Sequence, residues 1–156
     1  MSVENVKAYF DQYGISDRIR EFEESSATVE LAAGLLSCSP GEIAKTLAFR
    51  LNGGCVLIVA AGDAKVDNSK FKTVFGSKAV MVKPEEAEEL VGHAVGGVCP
   101  FAVKEGVRVY LDQSLKRFET VYPAAGDSHS VIRLSIAELE KYSGAIGWID
   151  VCKNWQ

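Results

Sequence analysis

Lys45 is an ammonium set in an otherwise apolar segment, flanked by Ala44 and followed by Leu47. Such a lysine either runs its charge out to solvent along an apolar stem or holds it at a cleft to meet an anionic or carbonyl oxygen. A second candidate is the run Gly96-Gly97-Val98-Cys99-Pro100-Phe101. Glycine tolerates positive φ and close backbone approach, and proline fixes φ and disfavours helix before it. The run is therefore a tight turn or a loop that offers main-chain N–H groups to something that must come very near. A third polar stretch, Ala124-Ala125-Gly126-Asp127-Ser128-His129, carries one of the chain's two histidines, and His93 is the other. Cys99 is a buried lining thiol or, with either histidine as base, a nucleophile.

Between residues 63 and 83, Lys65, Lys70, Lys72, Lys78 and Lys83 outweigh Asp63 and Asp67. Such a cluster is a solvated helix face or a patch that receives a phosphate backbone. The chain as a whole carries a formal charge of −4, which argues against non-specific coating of nucleic acid and leaves room for a local basic patch. No nucleophile elbow, P-loop, dinucleotide fingerprint or zinc motif occurs, and enzyme classes marked by them are disfavoured. The four cysteines, Cys38, Cys55, Cys99 and Cys152, are scattered, without a CxxC pair or histidines at metal-ligand spacing. They read as reduced, mostly buried thiols, and neither a metal nor a cofactor is expected.

The elements that must position these residues fit one domain, residues 1–156, with 47% hydrophobic and 24% charged residues. No apolar run approaches the roughly 20 residues of a membrane span, and the first five residues lack a secretory pattern, so a cytoplasmic protein is expected. Amphipathic spacing predicts a helix over residues 2–13, a short strand over 18–22 and a helix over 29–37 capped by Thr28. Ser39-Pro40-Gly41-Glu42 has the capping-box pattern for a single turn. Strands over 44–51 and 55–61, reversed at Asn52-Gly53-Gly54, form a hairpin in a buried sheet. A helix follows Asp67 or Asn68 and ends at Gly76, a strand is expected over 79–82, and a helix starts at Pro84 and ends at Gly92. Strands over 107–111, 118–122 and 130–134, a helix opened by Ser135 and Glu138 and closed by Gly144, and an edge strand over 148–151 complete the chain. The expected fold is α+β: one curved, mixed, largely antiparallel sheet of about six or seven strands wrapped by helices.

Taken in order, Ile43-Ala44-Lys45-Thr46-Leu47, Gly62-Asp63-Ala64-Lys65-Val66-Asp67, Gly96-Gly97-Val98-Cys99-Pro100-Phe101, Tyr110-Leu111-Asp112 and Ala124-Ala125-Gly126 make the chain resemble the YbaK and prolyl-tRNA synthetase editing-domain family over nearly its whole length. The resemblance implies a YbaK-like fold and a free-standing aminoacyl-tRNA deacylase that clears alanyl- or cysteinyl-tRNA(Pro). An alternative is a non-catalytic module of that fold that binds tRNA or an aminoacyl nucleotide. By the same likeness Lys45 matches the family's site lysine, Gly96 and Pro100 match its GxxxP substrate loop, and His129 falls near a histidine of the synthetase-embedded domains. Thr46, Gly97, Val98, Cys99 and Ser128 become candidate substrate-binding residues. Lys65, Lys70 and Lys72 become candidates for contact with tRNA, and a synthetase becomes a transient partner. Two departures stand out: Glu24 where many members carry a histidine, and Val131 where some carry an aspartate. They bear on which amino acid is cleared.

Overall fold

The computed structural model describes residues 2–155. Local signals account for most of its helices. Helix α1 (Ser2–Asp11) buries Val3, Val6 and Phe10 along one stripe. Thr28 caps α2 (Val29–Leu36) by accepting the Leu31 N–H. Asp67 caps α3 (Asn68–Phe75) by accepting from Ser69 and Lys70. Pro84 opens α4 (Pro84–Val91), and a reciprocal capping box of Ser135 and Glu138 opens α5 (Ile136–Ser143). Gly76, Gly92 and Gly144 close the last three in the left-handed region, where a residue without Cβ is least strained.

In α2, Gly34 is exposed and an added Cβ would meet nothing within 4 Å. Gly34→Ala therefore raises stability by about 0.8 kcal/mol through helix propensity alone, read as a rise in the urea midpoint at unchanged m-value. A lowered midpoint would mean that the missing Cβ matters for packing.

The strands are β1 (Ile19–Glu21), β2 (Ile43–Leu51), β3 (Gly54–Ala61), β4 (Lys65–Val66), β5 (Arg108–Asp112), β6 (Thr120–Pro123), β7 (Ser130–Ile132), β8 (Leu134–Ser135), β9 (Gly147–Ile149) and β10 (Cys152–Lys153). Six form a mixed sheet in the order β8-β6-β2-β3-β5-β9. The β2–β3 hairpin is its long antiparallel centre, with Ala44 opposite Ala61 and Leu51 opposite Gly54. The β6, β5 and β9 additions are parallel. Residues between 61 and 79 do not return a parallel strand to β3; its parallel partner is β5. Two antiparallel ribbons, β1–β7 and β4–β10, sit apart from the main sheet.

The expected strand over 79–82 is only a bridge between Met81 and Phe49, made by Arg50 N–H to Val80 O at 2.8 Å and Val82 N–H to Ala48 O at 2.9 Å. Two hydrogen bonds are too few for a ladder. The expected strand over 130–134 breaks at Arg133, because its first part pairs with β1 and its last residues with β6.

Alternation along β2 and β3 feeds two cores. One face places Ala44, Ala48, Leu57 and Val59 against Phe10, Phe101 and Leu139, and the other places Phe49, Val56 and Ile58 against Phe71 and Val151. The buried Asp112 carboxylate accepts the Ser114 and Val151 main-chain N–H groups, each at 2.9 Å, and so fastens the last residues to the sheet.

Candidate functional site

The edge of β2 that turns away from β3 is only partly occupied. β6 pairs with it at Ile43 and Ala44, and the Val80–Val82 bridge takes Ala48 and Arg50. Main-chain groups alternate sides along a strand, so Thr46, two residues before Ala48, turns its N–H and C=O toward the open stretch between them. A cavity of about 290 Å³ opens there. Its floor is Ile43 to Leu47, one wall is Ser26, Ala27, Thr28, Val29 and Ala32, and Gly96, Val98, Tyr122, Ala124 and Val131 complete it. The Thr46 hydroxyl is buried and has no hydrogen-bond partner. An unpaired buried hydroxyl costs free energy that a bound ligand or water would recover.

Lys45 reaches the same cavity from a half-buried position. Its ammonium donates to Gly62 O at 3.4 Å and to Ala64 O. Burial lowers its pKa, partly offset by Cys152, Asp63 and Glu30, while neighbouring Lys65 pushes in the same direction as burial. The turn that holds it is close-packed: a Cβ on Gly62 would lie 2.1 Å from Pro40 O. It is also braced by Asp63, whose carboxylate accepts from Arg117 Nη1 at 2.9 Å and Nη2 at 2.6 Å.

The Arg117 hydrogen bonds hold the Asp63 carboxyl below its ordinary value. A carboxyl with a depressed folded pKa adds stability that is present above the unfolded value near 4 and is lost as pH falls through the folded value. With the Asp63 side chain 37% exposed, solvent screening limits the gain to about 1 kcal/mol or less. Asp63→Asn is therefore less stable than the parent at pH 7, and the two urea midpoints converge as pH is taken toward 3. A gap of constant size would exclude the ion pair as its cause.

The glycine loop meets the 126–129 loop backbone to backbone. A Cβ on Gly97 would sit 2.4 Å from Asp127 Cα, and one on Gly96 3.3 Å from Ser128 Cβ. The Gly97 N–H is spent on Ala94 O, so that donor does not face a ligand. Gly97 and Ser128 line a separate recess of about 180 Å³ behind the loop. Cys99 and Pro100 are buried beneath it.

The structure thus gathers Lys45, Thr46, Gly96 and Val98 at one cavity and leaves Gly97, Cys99, Pro100, Ser128 and His129 off its lining. His129 is exposed, with its Nδ1 3.0 Å from Glu24 O. Its main-chain carbonyl and that of Ser128 accept from Phe22 and Ser26 N–H, which zips the 22–28 segment onto this loop. Val131 lines the cavity, whereas Glu24 does not; its main-chain carbonyl lies against the exposed His129 ring. Among the lysines, Lys70 is engaged with Asp150 at 3.0 Å and Cys152 O at 2.9 Å, whereas Lys65 and Lys72 are exposed. The wall of Ser26, Ala27 and Ala32 was not anticipated, since small residues in a loop and a helix carry no chemical signature.

Cys99 does lie 3.4 Å from His93 Nε2, but that nitrogen is 2.6 Å from Phe101 O. A carbonyl only accepts, so Nε2 carries the proton and cannot act as base toward the thiol. Burial pushes the Cys99 thiol up to about 12, and burial with Asp112 does the same to Cys152. Iodoacetamide is accordingly expected to modify one thiol of the native protein, half-buried Cys38, with Cys55, Cys99 and Cys152 reacting only in denaturant. Rapid native labelling of Cys99 would contradict this burial.

Among the described residues no cluster of three or more His, Cys, Asp or Glu could hold a metal ion, and no helix is long and apolar enough to cross a membrane.

Comparison with known proteins adds three likenesses and one family match. An uncharacterized protein of Bacillus subtilis (strain 168), YwhH, is 50% identical over all of both chains. A proline--tRNA ligase of Geobacillus sp. (strain WCH70) is 30% identical over 90 residues, covering 57% of this chain but only 16% of the ligase. A crystal structure described as that of a candidate trans-editing enzyme for prolyl tRNA synthetase superposes with a TM-score of 0.87 at 28% identity, covering 97% of each chain. The model of a family described as the aminoacyl-tRNA editing domain matches residues 23–142.

Proposed function

The chain belongs to the aminoacyl-tRNA editing-domain family, and on that premise we propose that it is a trans-editing deacylase, hydrolysing the ester of alanyl- or cysteinyl-tRNA(Pro) made in error. The observation that carries the reading is the cavity at the open edge of β2, where a buried and unpartnered Thr46 hydroxyl lies beside Lys45, Gly96 and Val98. An aminoacyl ester is already activated, so such a site needs no strong nucleophile. It must hold the ester, orient a water and stabilise the oxyanion that develops.

In this reading the aminoacyl end lies in the cavity. Lys45 supplies positive charge near the carbonyl, the Thr46 hydroxyl and outward N–H offer hydrogen bonds to the ester or the attacking water, and Gly96 allows the substrate close to the loop backbone. His129 acts through the loop by anchoring the 22–28 segment, since its ring lies off the cavity lining. Ala27, Ala32, Val98 and Val131 leave room for a small side chain and refuse a bulkier one, the second sieve that binding alone cannot supply for near-isosteric apolar groups. The partners implied are a mischarged tRNA and, transiently, the synthetase that releases it.

The test is to incubate the purified protein with alanyl-, cysteinyl- and seryl-tRNA(Pro) and follow amino-acid release. Hydrolysis of the first or second is the expected result. Binding of these tRNAs without release would replace the deacylase by a non-catalytic module of the same fold, a reading to which the prior engagement of Lys45 by Gly62 and Ala64 lends some weight.

A further inference from the structure

His93 is fully buried and takes no part in the chemistry above, yet its ring is incompletely satisfied. Nε2 donates to Phe101 O at 2.6 Å, and the Cys99 thiol, 3.7 Å from the same carbonyl, donates to it as well. Nδ1 is left as a buried acceptor without a partner among the described residues. Burial lowers the His93 pKa, against the opposing pull of the Phe101 bond, so the ring is neutral. A leucine would fill a similar volume without the unpaired nitrogen, so core packing alone does not account for a histidine here.

The bond spans a segment that has few others. Residues 92–107 lie between α4 and β5 and belong to no helix or strand. Among the described residues, the one N–H of 94–101 that finds a main-chain acceptor is that of Gly97, bonded to Ala94 O at 3.0 Å. The ends of the loop are held by side chains instead. Phe101, fully buried and edge-on to Phe10 at 4.8 Å, anchors its carbonyl in the core, and His93 ties the start of the loop to that carbonyl. On its far side the loop rests on the 126–129 backbone, where Gly97 backs onto Asp127. Gly96 and Val98, which line the cavity, stand between these two supports. Fixing both ends of a loop removes much of its conformational freedom in advance, the condition for a wall that refuses a bulky group rather than yielding to it.

We propose that His93 is a positioning residue whose clasp on Phe101 O holds Gly96 and Val98 in place and so sets the size limit of the cavity. The sieving role rests on the deacylase reading; the clasp itself does not.

His93→Leu keeps the volume and removes the donor, whereas His93→Gln returns an amide Nε2 to nearly the same point. In His93→Leu, hydrogen exchange of the Gly97 N–H is expected to quicken about tenfold relative to Leu57 and Val59 of β3. The preference for alanyl- over prolyl-tRNA(Pro) is expected to fall about tenfold in the same variant, because a loosened wall admits the bulkier group. His93→Gln is expected to recover most of both. Gly97 exchange unchanged in His93→Leu, or quickened no more than that of Leu57, overturns the clasp. Should His93→Leu fail to fold, the imidazole nitrogen NMR spectrum of the parent decides: a single tautomer protonated at Nε2 supports the clasp, and a mixture of tautomers overturns it. Hydrolysis of alanyl-tRNA(Pro) with undiminished preference in His93→Leu would keep the deacylase and discard the sieve. Quickened Gly97 exchange in a protein that hydrolyses no mischarged tRNA would keep the clasp and discard the deacylase.

Discussion

Lys45→Ala is expected to lower kcat/KM for alanyl- or cysteinyl-tRNA(Pro) hydrolysis by about 10²-fold or more, the usual scale for removing one charge-stabilising group from a water-poor site. The substitution is not silent for the fold, because the Lys45 ammonium also satisfies the Gly62 and Ala64 carbonyls. Leaving those acceptors without a donor costs about 1–2 kcal/mol, a fall of a few degrees in Tm for a chain of this size. A folding effect of that scale leaves the variant folded at the assay temperature, so the loss of rate can be read separately. Lys45→Gln refines the test: it can still donate to one carbonyl, so it should recover stability without recovering rate. Unchanged hydrolysis in either variant would remove Lys45 from the chemistry and leave it a strut.

Gly97→Ala carries a large expected structural effect at the glycine loop. The added methyl would lie 2.4 Å from Asp127 Cα and 2.6 Å from Asp127 N and Gly126 C. These are backbone atoms of a loop pinned by Ser26 and Phe22, so neither side can yield by a rotamer change. Overpacking of this kind costs about 3 kcal/mol, a large part of the roughly 5–15 kcal/mol that holds a domain together. The two loops would be forced apart and the Gly96 wall displaced, so activity should fall with stability. A urea midpoint equal to that of the parent would mean that the loops do not meet as closely as the structure places them.

What could be read in advance divides along the range of the interactions responsible. Thr28, Asp67 and Ser135 were legible as helix starts, and Gly76, Gly92 and Gly144 as stops, because a cap is decided within four residues of sequence. The β2–β3 hairpin was legible from Asn52-Gly53-Gly54 and the apolar runs beside it. The β4–β10 ribbon was not, since two residues at Lys65 and two at Cys152 gain their pairing only from a fold that brings distant segments together. The 79–82 segment has strand-like residues but makes only one bridge, through the two main-chain hydrogen bonds at Ala48 and Arg50.

Of the residues that line the candidate cavity, Lys45, Thr46 and Gly96 could be named from residue type and motif order. The direction of a loop side chain could not: His129 turns to Glu24 O and Cys99 sinks beneath Pro100 for reasons that lie in the packing of the 22–28 segment and Phe101. Nor could the open edge of β2 be foreseen. It exists because β6 ends at Pro123 opposite Ala44, and the next residue, Ala124, pairs with Val131 rather than with β2.

The parallel junctions of the sheet also set a timetable. The hairpin of β2 and β3 can close as soon as residue 61 is made, but its flanks wait for β5 near residue 108 and β6 near residue 120. During synthesis the most apolar strand of the molecule, with Val56 to Ala61 all buried in the end, must stand with an unpaired edge while roughly fifty further residues emerge. Nascent chains halted between β3 and β5 should therefore be the species most prone to aggregate and most dependent on chaperones, whereas chains that have passed β6 are safe.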